Sequence, residues 1–224
     1  MKVRLVSYSK PTVDFANQGI NDALDLVAFC ARVSNPSNQF NTETSERLIK
    51  YLIKHQHWSP LEMVSACMEI ETTRDIARQI LRHRSFSFQE FSQRYADPTQ
   101  ELAESFVTRE ARLQDTKNRQ NSVKLDLNDP EQRQLAVDWH HAQQRVLFAV
   151  EREYRWAISK GIAKEQARAL LPEGLTVSRM YMNGTLRSWI HYCDLRGSNG
   201  TQLEHMDIAH ACAKIIAEIF PLSS

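Results

Sequence analysis

Apolar and polar residues alternate with period two in KVRLVSYS (2–9), which predicts a half-buried strand at the start of the chain. The period then lengthens: NDALDLVAFCARVS (21–34) repeats its apolar positions at helical spacing, and TETSERLIKYLIKHQH (42–57) sets cap residues ahead of Leu48, Tyr51, Leu52 and His55, so both predict helices. Alternation returns in MVSACMEIET (63–72). Thr73 stands where it would cap a helix over RDIARQILRHR (74–84), with Ile76, Ile80 and Leu81 on one apolar face and Arg82, His83 and Arg84 in the last turn. Residues 109–130 are polar and without clear period, which predicts a long surface loop or an insertion. A long helix follows over 131–160, then a short one in KEQARALLP stopped by Pro172, a strand over 175–182, a helix over 183–196 closed by Gly197, and a C-terminal helix over 204–220. No repeat or low-complexity tract interrupts this order.

With 224 residues, 42% of them hydrophobic and 25% charged, the chain is expected to bury one sizeable core as one globular domain over 1–224. MKVRLVSYSK lacks the apolar run of a signal peptide and no apolar stretch approaches the roughly 20 residues that span a bilayer, so a cytoplasmic protein without membrane contact is expected. Cys30, Cys67, Cys193 and Cys212 are far apart and read as reduced packing residues. The formal net charge of +1 removes the long-range basic field of a non-specific nucleic-acid binder. His55 and His57, like His140 and His141, match no zinc-ligand pattern, so no metal is expected. Six glycines without a G-x-G-x-x-G or Walker A loop disfavour the Rossmann and P-loop modes of nucleotide binding. Any dinucleotide phosphate would have to be held by arginine side chains.

The stretch RHRSFSFQEFSQRY (82–95) concentrates such side chains. Arg74, Arg78 and Arg82 follow one another at four-residue spacing, which stacks three like charges on one helix face and in isolation costs a few tenths of a kcal/mol per pair. One reading is a solvated face neutralised by Asp75, Glu69 or Glu71. Against it, Gln79, Arg82 and His83 share a neighbouring face, and Glu90, Ser92 and Arg94 alternate on one side of a following extended segment. Guanidinium forks suit phosphate oxygens and a carboxylate such as Glu90 suits a sugar hydroxyl, so the combination favours a nucleotide pocket. A second constellation sets Arg187, His191 and Asp194 on one face of the helix ahead of Gly197, with Arg196 at its end beside GSNG (197–200); Arg168 lies between the two groups in the chain. His191 on its own reads equally as a structural histidine bonded to Asp194.

RHRSFSFQEFS, continued by QRY, resembles the arginine-histidine-arginine, seven-residue gap, serine signature of the flavin-dependent thymidylate synthases. HWSPLE (57–62), ARALLP (167–172) and WIHYCDLRGSNGTQLEH (189–205) resemble further blocks of that family, so the resemblance runs from about His57 to Glu204. It implies an α+β fold, an antiparallel sheet packed with helices including one long helix, and a single domain per protomer of a homotetramer with shared active sites. It also implies reductive methylation of dUMP to dTMP, with methylenetetrahydrofolate as carbon donor and FAD, reduced by NADPH, as hydride carrier. Position by position, the resemblance makes Ser59, Glu62, Arg82, His83, Arg84, Gln89 and His191 flavin contacts. It makes Gln79, Arg82, Glu90, Ser92 and Arg94 dUMP contacts, joined by Arg168 and Arg196 from another subunit. His57 falls near folate or flavin, and Arg187 reads as flanking.

Arg196 is the expected catalytic group, because a cationic donor aimed at the uracil carbonyl stabilises charge as the ring is activated. Ser92 has no histidine placed to take its proton and reads as substrate-binding. Two departures from the family pattern stand out: Met63 follows Glu62 where a histidine is common, and Gln89 replaces an asparagine. Two other classes remain open on the residues: a nucleic-acid module stacking bases on Phe86, Phe88 and Phe91, and an inert flavin- or nucleotide-binding regulator.

Overall fold

The computed structural model describes residues 1–198 and 200–221. Strands β1 (Lys2–Tyr8), β2 (Ser65–Thr73), β3 (Ser87–Glu90), β4 (Arg112–Gln114), β5 (Ser122–Lys124) and β6 (Val177–Thr185) form a four-stranded antiparallel sheet in the order β1-β2-β6-β3 and a β4-β5 hairpin. The helices are α1 (Val13–Ala16), α2 (Ala23–Ala31), α3 (Ser45–Lys54), α4 (Arg74–Ile80), α5 (Pro98–Glu101), α6 (Pro130–Ser159), α7 (Lys164–Ala167), α8 (Leu186–Arg196) and α9 (Leu203–Ile219).

Period-two patterning gives the large sheet two unlike faces. On one, Ala66, Met68 and Ile70 of β2 lie beside Met180 and Met182 of β6, all 0–1% exposed and covered by α2, α4, α8 and α9. The methionine and isoleucine side chains among them each contribute on the order of 2 kcal/mol through removal from water. The other face is a charged ladder. Register aligns Arg4, Glu69 and Tyr181 across three strands, and Glu69 accepts from Arg4 Nε at 2.7 Å and from the Tyr181 hydroxyl at 2.8 Å. One rung along, Glu71 accepts from Arg179 Nη2 at 2.6 Å. The hydrogen bonds from Arg4 hold the buried Glu69 carboxyl below its ordinary pKa.

Local capping explains where the helices begin. Asp22 accepts from the Asp25 N–H ahead of α2; Asp129 accepts from the Glu131 N–H, with Pro130 at the first position of α6; Thr185 accepts from the Ser188 N–H ahead of α8. Thr73 occupies the cap position of α4, but its hydroxyl donates to the Asp75 carboxylate at 2.6 Å instead of capping the backbone.

Three expectations change. The helix expected over 74–84 ends at Ile80, because Arg82 and His83 bond back only three residues, to Gln79 and Ile80, and the chain leaves the helix to bury Phe86. Arg82, His83 and Arg84 therefore form a turn leading into β3, a strand whose hydrogen-bonding partner β6 lies about ninety residues further on. Asn183 to Thr185 belong to β6, since Ala66 and Ser65 pair with Gly184 and Thr185. Within 109–130 the chain forms the β4-β5 hairpin, whose turn is organised by Asp115 accepting from the Lys117 and Asn118 N–H groups.

Gly184 is required by a close approach. A β-carbon there would stand 2.6 Å from Cε1 of Phe86, the ring that seats the 82–86 turn against Trp189, 4.8 Å away. Gly184→Ala is expected to cost about 1–3 kcal/mol through overpacking, read as a lower midpoint in thermal denaturation.

Candidate active site

The turn at 82–86 and the end of α8 meet through one hydrogen bond: Arg196 donates from Nε to Nε2 of His83 at 2.9 Å. A guanidinium cannot accept, so His83 Nε2 must carry a lone pair and its proton must sit on Nδ1. Burial, reinforced by the positive charges of Arg196 and Arg82, lowers the His83 pKa to about 4 and keeps the ring neutral. Its edge rests on Tyr192, with ring centroids 4.9 Å apart. Neither Nη of Arg196 has a hydrogen-bond partner among the described residues, so both remain as donors. Of the GSNG segment beside Arg196, Asn199 lies outside the described residues.

Behind this pair is a buried polar group that the sequence did not single out. His205 of α9 is fully buried, 3.2 Å from the Gln79 carbonyl through Nδ1 and 3.2 Å from the Tyr192 hydroxyl through Nε2. Gln79 in turn donates from Nε2 to Gln202 at 2.8 Å. Burial first, then Arg196 and His83, push the His205 pKa to about 4. His205 and Tyr192 occupy core-facing positions of amphipathic helices, where a sequence pattern reads packing; the only signal was their inclusion in the WIHYCDLRGSNGTQLEH block.

The first half of α8 organises a second group. Arg187 pairs with Glu62 at 2.6 Å, and His191 lies against the indole of Trp58 at 4.4 Å. Ser59 opens the 3-10 turn Ser59–Glu62, and Gln56, at φ 59°, reverses the chain after α3 to deliver exposed His57 beside Tyr51. His57, Ser59, Glu62 and His191 thus share one region. From Arg187 to Arg196 is nine residues, about 13 Å along the helix, so the two groups stand at opposite ends of α8.

The arginine stripe is resolved by pairing. Arg74 is buried between Glu90, 3.7 Å away, and Glu173, 3.6 Å away, and Arg78 also pairs with Glu173 at 3.4 Å. None of Asp75, Glu69 or Glu71 serves as their partner: those carboxylates hold Arg109, Arg4 and Arg179. Since α4 stops at Ile80, Arg82 does not continue the stripe. Glu90 also accepts from the Ser178 hydroxyl at 2.8 Å, which aims its carboxylate. The extended segment expected through Arg94 ends at Glu90; the Ser92 oxygen accepts from the Arg94 N–H in a turn. Arg94 then lies 4.0 Å from Glu165, whose carbonyl accepts from Arg168 Nε at 3.3 Å, so these two arginines converge within the chain. Arg82, Arg84 and Gln89 are exposed, and neither arginine is ion-paired among the described residues.

All four cysteines are free, and burial raises the pKa of each; Cys193, the one on α8, is pushed up to about 12. None is poised as a thiolate nucleophile. No group of three histidine, cysteine, aspartate or glutamate side chains among the described residues is arranged to hold a metal ion, and no helix there is long and apolar enough to cross a membrane.

The two depressed histidines tie stability to pH. Each is expected to titrate near 6.5 when unfolded and near 4 when folded, so between those values the unfolded chain binds more protons and stability rises with pH. Their contribution is complete above about pH 6.5 and lost as pH falls toward 4. Urea denaturation at pH 7 and pH 5 is expected to show this loss, and His83→Gln to reduce the difference.

Residues 17–222 match the family model described as thymidylate synthase complementing protein. The chain is similar to the probable flavin-dependent thymidylate synthase of Paramecium bursaria Chlorella virus 1, with 49% identity over 99% of this chain and 96% of that one. It is similar to the flavin-dependent thymidylate synthase of Synechocystis sp., with 46% identity over the same shares. Its fold is similar to the UMP/dUMP methylase PolB from Streptomyces cacaoi bound with 5-Br UMP, at TM-score 0.77 and 25% identity over 99% of this chain and 91% of that one. By the family match and the near-full-length similarity to both relatives, this chain belongs to the thymidylate synthase complementing protein family.

Proposed function

We propose that the protein is a flavin-dependent thymidylate synthase that makes dTMP from dUMP in de novo dTMP biosynthesis, with FAD as cofactor, NADPH as reductant and methylenetetrahydrofolate as carbon donor. The observation that carries this reading is the Arg196–His83 contact, which ties the signature turn to the helix bearing the start of the 189–205 block and leaves at their junction a cation whose Nη donors have no partner among the described residues. Family membership and the names of the two relatives support the same activity.

The residues fit the proposed ligands. Arg82 and Arg84, exposed and without carboxylate partners among the described residues, suit a pyrophosphate, and the Ser59–Glu62 turn with His191 offers hydroxyl, carboxylate and ring contacts to the same cofactor, alongside His83 and Gln89. FAD, when bound and reduced, supplies the hydride that the carbon transfer requires. Gln79, Arg82, Glu90, Ser92, Arg94, Arg168 and Arg196 are assigned to dUMP. Arg196 stabilises the negative charge that develops on the uracil carbonyl, with its Nε held by neutral His83 so that its remaining donors keep one orientation. His57 is assigned to the folate or flavin vicinity. Four free cysteines suit the reducing cytoplasm.

A homotetramer is part of the proposal. Helix α6 exposes Phe148 at 71% and Trp156 at 53%, large apolar groups that a second copy would cover. Against the nucleic-acid reading, Phe86 is 8% exposed and wedged on Trp189, and Phe88 packs against the same core.

Anaerobic addition of NADPH to the FAD-loaded protein is expected to bleach the flavin in a manner that dUMP alters; FAD that neither binds nor bleaches would sink the synthase reading. Arg196→Ala is expected to lower dTMP formation on the order of 10²–10³-fold with flavin content retained, measured by single-turnover assay. Phe148→Glu with Trp156→Glu is expected to convert the assembly to smaller species in sedimentation, with loss of turnover.

A further inference from the structure

The hydrogen bonds behind the site form a chain with one direction. Arg112 of β4 pairs with one oxygen of Glu204, and the other oxygen accepts from Gln202 Nε2 at 3.0 Å. Gln202 then offers its carbonyl to Gln79 Nε2 at 2.8 Å, Gln79 offers its carbonyl to His205 Nδ1 at 3.2 Å, and His205 Nε2 faces the Tyr192 hydroxyl at 3.2 Å. An ionised carboxylate only accepts, whereas an amide or a neutral imidazole can be turned either way. The one member without that freedom therefore orients the rest. With Glu204 accepting, Gln202 must present its amide nitrogen to it and its oxygen to Gln79; Gln79 must present its oxygen to His205; His205 must carry its proton on Nδ1 and accept from Tyr192. Reversing any one link sets two lone pairs or two N–H groups face to face inside a region where His205 is fully buried.

We propose that Glu204, held by Arg112 of the β4-β5 hairpin, is a positioning residue that sets the donor-acceptor sense of the Gln79 amide and, through it, the sense in which Gln79 meets the pyrimidine nucleotide. The second half rests on the assignment of Gln79 to dUMP made above. The hairpin thereby acquires a part in the site: Arg112 is 10% exposed and also lies 3.6 Å from Glu110, so its guanidinium holds Glu204 in place from outside the sheet that carries the signature. Glu204 touches no reacting atom in this scheme and acts only through Gln202 and Gln79.

Two variants of the FAD-loaded protein test this. Glu204→Gln makes the terminal acceptor reversible, and Gln202→Leu cuts the chain while leaving the Arg112–Glu204 pair intact; Glu204→Asp keeps an acceptor-only group. Nitrogen-15 NMR of histidine-labelled protein is expected to report a single Nδ1–H tautomer for His205 in the parent protein and Glu204→Asp, and a mixture in Glu204→Gln and Gln202→Leu. The same two variants are expected to raise KM for dUMP about tenfold, as for one hydrogen bond lost, with kcat little changed and FAD content unaltered. An unchanged tautomer in both overturns the proposal. A tautomer that becomes mixed while dUMP KM stays constant overturns the link to the nucleotide and with it the dUMP assignment of Gln79. FAD lost in proportion to the KM rise would place the chain under the cofactor and overturn the proposal as well.

Discussion

A guanidinium and an imidazole 2.9 Å apart are compatible only while the imidazole is neutral and its lone pair faces the cation. Much of the molecule around the site serves that condition. Burial and the charges of Arg196 and Arg82 disfavour the imidazolium form of His83; Tyr192 and His205 wall it with uncharged rings; Phe86, wedged over Gly184 against Trp189, fixes the turn that presents it. The turn and the C-terminal end of α8 are then one unit, although more than a hundred residues separate them in the chain.

The same logic of pairing explains how a nearly neutral protein accommodates its many arginines. Arg4, Arg74, Arg78, Arg109, Arg112, Arg179 and Arg187 each meet a carboxylate. These pairs align strands by register, orient Glu90 and fasten α8 to the 59–62 turn. The exposed arginines of the signature, Arg82 and Arg84, are left without such partners among the described residues, which distinguishes groups available to an anionic ligand from groups that build the scaffold. In the proposed function, this difference sets Arg82 and Arg84 apart from the scaffold arginines, while Arg94, assigned to dUMP, keeps Glu165 4.0 Å away.

The hairpin within 109–130 illustrates how a polar segment acquires a role through its end contacts. Arg109 donates from its guanidinium to Thr73 and Asp75, and its carbonyl accepts from Trp139 and Gln143 of α6, so the segment joins the long helix to the start of α4. Arg112, three residues on, reaches Glu204. These contacts put the hairpin between the exposed long helix and the polar chain behind Gln79.

Much of the architecture was legible in the residues. Alternation in 2–9, 63–72 and 175–182 marked three strands of the sheet, and helical spacing marked α2, α3, α6, α8 and α9, because these are contacts between near neighbours with fixed periods. The signature stretch and the 189–205 block each supply one partner of the His83–Arg196 contact. Strand β3 was missed because four residues carry too little period and its partner β6 is remote; the end of α4 was misplaced because burying Phe86 outweighs four more residues of helical propensity. Which carboxylate answers which arginine, and that His205 stands behind Gln79, could not be read from spacing. The sequence by itself determined the local periods and the chemical inventory of the site; only the tertiary structure decided which arginines lack a carboxylate partner among the described residues and which histidines stay neutral, because pairing and desolvation depend on distances between segments far apart in the chain.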